Sequence, residues 1–293
     1  MRAYVLHGID DLRLEETALP EIKEREVLVK VMAAGICGSD IPRIYKTGTY
    51  SYPLIPGHEF SGTVIETGLK ADKKWMGKRV GIFPLIPCGE CESCRKKQYE
   101  MCRHYSYLGS RTNGGFAEYA AVPEENLIEL PEEVSYEVAA MLEPMAVAVH
   151  AMRKSGVMQE NTVVVYGLGT IGLLLCMFLL DAGVRDIYVI GNKEFQKRMA
   201  DSLGISETHY CDCRTREVSK WLQEQTGGRG VDVFFECVGK NETIADAIGN
   251  TAPGGTVQMV GNPASDIMLK KEIYWKILRN QLTIKGSWNS SFL

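Results

Sequence analysis

The chain has the length and composition of a globular protein with two domains. It contains 293 residues, 45% of them hydrophobic and 24% charged, which excludes a disordered, collagen-like or fibrous protein. Lys and Arg number 33 against 37 Asp and Glu, and the resulting net charge of −4 provides no global positive field. We therefore expect no nucleic-acid partner and no membrane partner.

The chain is also expected to be cytoplasmic. Its first residues, Met1–Gly8, lack the long apolar run of a secretory signal. The longest apolar stretch, Ile171–Leu180, is much shorter than the roughly 20 residues that a membrane span requires. The nine cysteines are an odd number in a chain that is not small, which argues against a set of structural disulfides.

The first half of the chain is predicted to be a β-rich domain. Apolar runs between glycine-rich turns predict strands over Glu26–Ile36, Gly62–Glu66 and Lys78–Ile82. The apolar period changes after about Ser135, and Tyr136–Met152 is predicted to be a helix that connects two domains.

The second half alternates apolar strands with helices, which predicts a doubly wound parallel sheet covered by helices on both faces. The predicted elements are Thr162–Tyr166, a helix over Gly169–Ala182, Asp186–Ile190, a helix over Phe195–Leu203, Val231–Cys237, Ile244–Asn250, Gly255–Val260 and Leu282–Gly286. The fold class expected from these patterns is α/β.

Four cysteines lie in one short segment, separated by two, two and seven residues: Cys88, Cys91, Cys94 and Cys102. Zinc favours four thiolates at the corners of a tetrahedron, and such a site has no position left for water, so it would be structural. Two alternatives remain open. An iron–sulfur cluster uses the same ligands, and reduced thiols on a surface loop need no metal.

A second group of candidate ligands lies earlier in the chain. Cys37 and His58 each follow a strand or turn, and the carboxylates of Asp40 and Glu59 are close in sequence. Mixed sulfur, nitrogen and oxygen ligation that leaves room for a substrate is what a catalytic zinc requires. Glu143, an acid at an otherwise apolar helix start, is a candidate third anchor. A single His or Cys is more often a core residue than a metal ligand, but the combination of these residues favours a metal site.

A glycine-rich turn follows the apolar strand Val163–Tyr166 and opens the next helix. Its glycines permit a tight turn, the approach of a pyrophosphate to the helix N-terminus and close packing of helix on sheet. The sequence therefore predicts that this turn binds a dinucleotide through Gly167, Gly169, Thr170, Ile171 and Gly172.

The end of the second strand of this half does not settle which cofactor is used. Gly191 stands where NAD-preferring proteins place an acid for the ribose, and Asn192 and Lys193 follow it. The missing carboxylate permits NADP, with Lys193 as a cation for the 2′-phosphate. Alternatively, Glu194 or the amide of Asn192 holds the ribose of NAD.

In their order along the chain, these motifs resemble the zinc-dependent medium-chain alcohol and polyol dehydrogenases. The resemblance runs from Met1 to the last residue. It implies that a catalytic zinc is surrounded by Cys37, His58, Glu59 and Glu143, the last as in the sorbitol dehydrogenase-like branch. It also implies that Asp40 holds the imidazole of His58, and that Ser39 passes the substrate proton toward solvent.

The resemblance further implies the domain plan. Residues 1–145 would be a catalytic GroES-like domain with a structural zinc lobe at 88–102, and 146–286 a dinucleotide-binding Rossmann domain. Residues 287–293 would begin a return to the catalytic domain, the rest of which is expected to be missing. The family resemblance also implies a homo-oligomer, a dimer or a tetramer.

Within the family, the chain is most similar to the galactitol-1-phosphate 5-dehydrogenases, through Cys37–Arg43, Tyr105–Arg111, Gly114–Tyr119, Lys276–Arg279 and Gly286–Trp288. This implies hydride transfer between NAD or NADP and a secondary alcohol of a polyol, in particular a polyol phosphate such as galactitol 1-phosphate. Arg43 could contact the phosphate by a bidentate pair, with Arg111 as a second candidate. An ion pair on the surface is the alternative role for Arg43.

The sequence is also compatible with other functions. Sorbitol-, threonine- and butanediol-type dehydrogenases are the main alternatives within the family. A catalytically inert protein that binds zinc and a dinucleotide is an alternative of another class, and a truncated chain that folds only in part is a third.

Overall fold

The computed structural model describes residues 1–291, which fall into two compact units. The first comprises Met1–Glu143 together with Ser291, and the second comprises Pro144–Ser290. Of the predicted return segment 287–293, residues 292 and 293 lie outside the described residues. Among the helices of residues 1–291, none has both the length and the apolar character needed to cross a bilayer.

The first unit is built mainly from antiparallel strands. Its five-stranded sheet has the order β8-β3-β4-β5-β9, while β1 pairs with β2 and β6 pairs with β7. The strands are β1 Arg2–Gly8, β2 Asp11–Glu16, β3 Glu26–Gly35, β4 Glu59–Thr67, β5 Arg79–Ile82, β6 Leu85–Ile86, β7 Ser106–Tyr107, β8 Tyr119–Pro123 and β9 Leu127–Glu129. The helices that begin in this unit are α1 Asp40–Pro42, α2 Glu92–Arg95, α3 Tyr136–Ala140 and α4 Leu142–Ser155.

The pairing of β3 with β4 decides which residues can form a site. These strands are antiparallel, and Gly35 at the end of β3 is opposite Glu59 at the start of β4. Apolar residues such as Val29, Phe60 and Val80 are buried in the core of this sheet. The segment that follows β3 and the segment that precedes β4 therefore lie at the same edge.

The second unit contains a six-stranded parallel sheet of order β12-β11-β10-β13-β14-β15. Its first strand in sequence, β10, lies inside the sheet, and the order proceeds outward on both sides, as in doubly wound folds. The strands are β10 Thr162–Tyr166, β11 Asp186–Gly191, β12 Tyr210–Asp212, β13 Val231–Glu236, β14 Thr251–Met259 and β15 Thr283–Gly286. The further helices are α5 Thr170–Asp181, α6 Glu194–Ser202, α7 Val218–Thr226, α8 Asn241–Asn250 and α9 Lys271–Arg279.

The predicted α/β fold class is confirmed, and the differences are local. The helix predicted over Tyr136–Met152 is two helices that separate at Met141, and Ile244–Asn250 is part of α8. Strand β12 and helices α7 and α9 were not predicted. Three residues are too few for β12 to show a period. Helix α9 does have an apolar stripe, because Ile273 and Ile277 lie one turn apart and pack against the core of the second unit.

Candidate metal and dinucleotide sites

Three of the predicted ligands converge where β3 ends and β4 begins. One donor atom each of Cys37, His58 and Glu59 lies within 4.8 Å of the other two. His58 and Glu59 are buried, and Gly35 makes room for the carboxylate, because a Cβ there would lie 2.5 Å from Glu59 Oε2. A thiol, an imidazole and a carboxylate at this spacing fit a zinc ion of mixed ligation.

Asp40 connects the members of this cluster. Its carboxylate is fully buried and accepts hydrogen bonds from the backbone N–H of Cys37 at 3.0 Å and from Arg43 Nη1 at 2.7 Å. His58 Nδ1 lies 3.5 Å from Asp40 Oδ1, too far for an ordinary hydrogen bond, so this contact is chiefly electrostatic. Because Nδ1 faces Asp40, Nε2 is the nitrogen of His58 available to a metal.

The surroundings of His58 favour positive charge on or beside its ring. Burial lowers the pKa of His58, but interactions with Asp40 and Cys37 outweigh burial and raise the pKa to about 10. A divalent cation supplies positive charge to the imidazole as a proton does, and the two compete for the same nitrogen. The electrostatics of the cluster are therefore suited to a metal ion.

Glu143 approaches the cluster from α4 but is held by another residue. Tyr107 Oη donates a hydrogen bond of 2.9 Å to Glu143 Oε1, and the ring of Tyr107 lies edge-on to His58 with centroids 5.7 Å apart. Burial raises the pKa of Glu143 and of Glu59, and the charge of His58 partly offsets this. Glu143 is not part of the set of donors within 4.8 Å, so its role as a ligand stays a prediction.

Ser39 and Arg43 lie on either side of Asp40 in sequence. Ser39 is half-buried, and its hydroxyl lies 3.3 Å from Cys37 Sγ, to which it donates a hydrogen bond. The Arg43 side chain is only 19% exposed, and its guanidinium is paired with Asp40. This contact is an ion pair within the site, and the predicted phosphate contact of Arg43 stays a prediction.

The four cysteines of the 88–102 segment converge on one point. Their sulfurs lie within 4.8 Å of one another, with 3.9 Å for Cys88–Cys94 and for Cys91–Cys102. These distances are too long for disulfides, whereas zinc–sulfur bonds of about 2.3 Å in a tetrahedron place the sulfurs about 3.8 Å apart. The arrangement therefore fits a closed metal site with four thiolates.

The thiols of this cluster differ in acidity. Backbone N–H groups of Cys94 and Arg103 lower the pKa of the Cys91 thiol to about 6. Burial and the neighbouring thiols raise the pKa of Cys94 to about 12. Four crowded thiolates repel one another, and a divalent cation relieves this repulsion.

The glycine-rich turn after β10 has the backbone geometry expected of a pyrophosphate site. Gly167 has a φ of +100°, and a Cβ on Gly172 would lie 2.0 Å from the carbonyl oxygen of Gly167. A Cβ on Gly169 would have no atom within 4 Å, so there is open space where α5 begins at Thr170. The turn therefore presents the N-terminus of α5 to a ligand.

The end of β11 has a polar arrangement that the sequence did not reveal. A Cβ on Gly191 would lie 2.9 Å from both Gln196 Oε1 and Tyr210 Oη. Gln196 Oε1 accepts a hydrogen bond of 2.9 Å from the backbone N–H of Asn192. Lys193 is exposed at the start of α6 and enters no ion pair among residues 1–291. Its ammonium group is therefore available to an anion.

The contact of Tyr107 with Glu143 and the packing of Gln196 and Tyr210 around Gly191 are not predictable from the sequence. Tyr107 lies 36 residues from Glu143 in the chain, so no local spacing could have linked them. The ion pair of Arg43 with Asp40, in contrast, could have been predicted. Arg43 lies three residues after Asp40, a spacing that brings side chains together on a helical turn.

Comparison with known proteins identifies the family of both halves. Residues 23–132 match the alcohol dehydrogenase GroES-like domain, and residues 170–292 match the zinc-binding dehydrogenase domain. The galactitol 1-phosphate 5-dehydrogenase of Escherichia coli K12 is 35% identical over 279 residues, which cover 94% of this chain and 80% of that protein. The sorbitol dehydrogenase of Bacillus subtilis 168 is 30% identical over 272 residues, or 91% and 76% of the two chains.

Solved structures of related proteins have the same fold over nearly the whole chain. The crystal structure of galactitol-1-phosphate dehydrogenase from Escherichia coli has a TM-score of 0.93 at 33% identity and covers 99% of this chain and 84% of that one. A protein described as a zinc-binding dehydrogenase from Sinorhizobium meliloti 1021, bound to NADP, has a TM-score of 0.92 at 29% identity, covering 99% and 85% of the two chains.

Proposed function

Because this chain belongs to the zinc-dependent medium-chain alcohol and polyol dehydrogenases, we propose that it transfers hydride between a secondary alcohol of a polyol phosphate, such as galactitol 1-phosphate, and NAD or NADP. The observation that carries this proposal is the convergence of Cys37, His58 and Glu59 within 4.8 Å, where two strands of the first unit meet. The likeness to a relative that acts on galactitol 1-phosphate supports the substrate class.

Two zinc ions are proposed for each chain. Cys37, His58 and Glu59 would hold the catalytic ion, with Glu143 as a further carboxylate, and the four cysteines of the 88–102 segment would hold the structural ion. When bound at the first site, zinc lowers the pKa of a substrate hydroxyl. The structural ion has no open position and would act on stability alone.

The residues around the catalytic ion have separate roles. Asp40 is a positioning residue, because it binds the backbone N–H of Cys37 and faces His58 Nδ1. Ser39 takes the proton of the substrate hydroxyl and passes it toward solvent. Its hydroxyl suits this role because it lies beside Cys37 Sγ and is only half-buried. Glu59 contributes a negative charge that stabilises the cation.

The second unit is proposed to bind the dinucleotide, whose nicotinamide accepts the hydride. The turn from Gly167 to Gly172, including Gly169, Thr170 and Ile171, would hold the pyrophosphate. Gly191, Asn192 and Lys193 would lie at the adenosine ribose. Gly191 is not an acid, and Lys193 forms no ion pair within residues 1–291, so NADP is an acceptable cofactor beside NAD. We place residues 1–145 and 146–286 in the catalytic and dinucleotide-binding roles, in a cytoplasmic homo-oligomer.

A panel of phosphorylated and free polyols, assayed with NAD and with NADP, tests the proposal. We expect appearance of reduced cofactor with galactitol 1-phosphate, two zinc ions per chain, and loss of one zinc and of activity in Cys37→Ser. Oxidation of free polyols alone would instead favour a sorbitol-type enzyme, a function supported by the sorbitol dehydrogenase relative. Tight dinucleotide binding without turnover of any polyol would contradict the proposed activity.

A further inference from the structure

Arg111 differs from the paired cations of the first unit in the way it is held. The carbon of its guanidinium lies over two aromatic rings, 4.2 Å from the centroid of Tyr50 and 4.4 Å from that of Tyr105. Across residues 1–291, no carboxylate lies within 4.0 Å of it, and its side chain donates one long hydrogen bond, of 3.4 Å, to Tyr50 Oη. Stacking fixes the plane of a guanidinium and leaves the N–H groups on its edge free to donate.

The loop that carries Arg111 is fastened to the segment that carries His58. The backbone N–H of Gly115 donates to the carbonyl of Gly57 at 2.8 Å. Gly109, with a φ of +76°, packs so closely that a Cβ there would lie 2.4 Å from the carbonyl carbon of Gly57. Since Gly57 immediately precedes His58, the position of Arg111 relative to the proposed metal ligands is fixed by backbone contacts.

A series of ring contacts links Arg111 to the same cluster. Tyr105, which stacks on Arg111, meets Tyr107 edge-on with centroids 6.2 Å apart, and Tyr107 in turn contacts His58. Arg111 is thus separated from His58 by two tyrosine rings. In a polyol 1-phosphate, several bonds separate the phosphate from a hydroxyl toward the other end of the molecule. A phosphate site must therefore lie at some distance from the proposed metal ligands and be held rigidly relative to them.

The other candidate cation is already paired. The guanidinium of Arg43 is paired at 2.7 Å with Asp40, and its side chain is only 19% exposed. A phosphate at Arg43 would have to compete with this buried carboxylate. Arg111 is half-buried and meets no such competitor among the described residues.

We propose that Arg111 binds the phosphate group of the substrate and is the residue by which this protein prefers a phosphorylated polyol to the free polyol. This inference rests on the proposed function and adds the residue that determines specificity. The phosphate would receive charge-assisted hydrogen bonds from a guanidinium that is held against the rings of Tyr50 and Tyr105.

The test compares Arg111→Gln with the wild type on galactitol 1-phosphate and on free galactitol, at saturating cofactor. A charge-assisted contact of this kind corresponds to about a 10- to 100-fold change. We expect the KM for galactitol 1-phosphate to rise by that factor, with kcat and the kinetics on free galactitol unchanged within about twofold. Arg25→Gln, which removes an exposed arginine paired with Glu124, is the matched control and should change neither substrate.

A binding measurement removes the dependence on turnover. Calorimetric titration with galactitol 1-phosphate, in the presence of the reduced cofactor, should show the same loss of affinity in Arg111→Gln. Arg111→Lys keeps the charge but loses the planar guanidinium. We expect its affinity for galactitol 1-phosphate to lie between those of the wild type and Arg111→Gln. Zinc content and the midpoint of thermal unfolding should match the wild type. If Arg111→Gln does not fold, Arg111→Lys and the calorimetric titration decide the question.

The outcomes separate this inference from the function on which it rests. If the wild type oxidises galactitol 1-phosphate and both Arg111 variants bind and oxidise it equally well, the role of Arg111 is wrong and the proposed function stands. If the wild type oxidises free polyols only, the proposed phosphorylated substrate is wrong, and the role of Arg111 is wrong with it. An equal loss on both substrates would make Arg111 a general structural residue and would also overturn the inference.

Discussion

Tyr107 Oη donates a hydrogen bond of 2.9 Å to Glu143 Oε1, and both side chains are more than nine-tenths buried. Burial and the neighbouring carboxylate raise the pKa of Tyr107 well above its usual value, so the phenol keeps its proton and acts as a donor. The bond therefore occupies Oε1 of Glu143, and the ring that donates it also contacts His58.

Tyr107→Phe should weaken the proposed catalytic site while leaving the fold intact. Glu143 would lose its buried donor, which costs about 1–3 kcal/mol of unfolding free energy. We expect kcat/KM to fall by about tenfold, and zinc to be removed more readily by a chelator. Tyr274→Phe, at an exposed tyrosine of α9 in the second unit, is the control. Equal behaviour of the two variants would remove Tyr107 from the site.

The two cysteine sites should respond differently to Cys→Ser substitution. Cys94→Ser is expected to lose the structural zinc and to lower the unfolding free energy by more than about 3 kcal/mol, because a closed site contributes to folding directly. Cys37→Ser is expected to lose one zinc with little change in stability. Cys213→Ser, in neither cluster, should keep both ions. Elemental analysis and denaturant unfolding measure these effects, and the reverse order would contradict our assignment of roles.

Asp40→Asn should lower zinc affinity without removing a ligand. An amide cannot balance the Arg43 guanidinium, and it holds Cys37 and His58 less firmly. Loss of such an outer contact typically weakens metal binding by about 10- to 100-fold. Competition with a zinc chelator measures the change. Asp11→Asn, which alters an exposed pair with Arg13, should leave zinc binding as in the wild type.

Lys193→Ala tests the choice between the two cofactors. If Lys193 faces a 2′-phosphate, its removal should lower affinity for NADP by about five- to tenfold and leave affinity for NAD unchanged. Fluorescence titration with each reduced cofactor gives both values. Lys220→Ala, in α7, is the control for the loss of one exposed charge. An unchanged ratio of affinities would favour recognition of the NAD ribose by Asn192.

Asp246 in α8 should make the stability of the second unit depend on pH. Burial raises its pKa from 3.8 to about 6, although the Ser219 hydroxyl donates to it at 3.2 Å. Because the folded pKa lies above the unfolded value, the folded state binds the proton more tightly. This contribution to stability is present below about pH 4 and is lost as the pH rises through about 6.

Asp246→Asn should therefore be more stable than the wild type at pH 7.5, by about 1 kcal/mol after allowance for partial exposure, and equal to it at pH 4. Urea unfolding at the two pH values measures this difference. Asp201→Asn, at an exposed position of α6, should be neutral at both. If Asp246→Asn stabilised the protein equally at pH 4 and at pH 7.5, the charge of Asp246 would not be the cause of the stabilisation.

What could be predicted from the sequence was the part of the protein encoded over short distances along the chain. The spacing of Cys88, Cys91, Cys94 and Cys102 limits how far their sulfurs can separate, and the strand and glycine turn before Gly172 form one continuous βα unit. The convergence of the four sulfurs and the backbone geometry of the glycine turn therefore depend little on the rest of the fold.

The long-range contacts were decided by the tertiary structure alone. Cys37 meets His58 because β3 and β4 pair antiparallel in one register, and a shift of that register would separate them. The hydrogen bond from Tyr107 to Glu143 and the contact of Arg111 with Tyr50 also join residues that are distant in sequence. Local spacing cannot specify such partners, because the distance between them depends on how every intervening element packs.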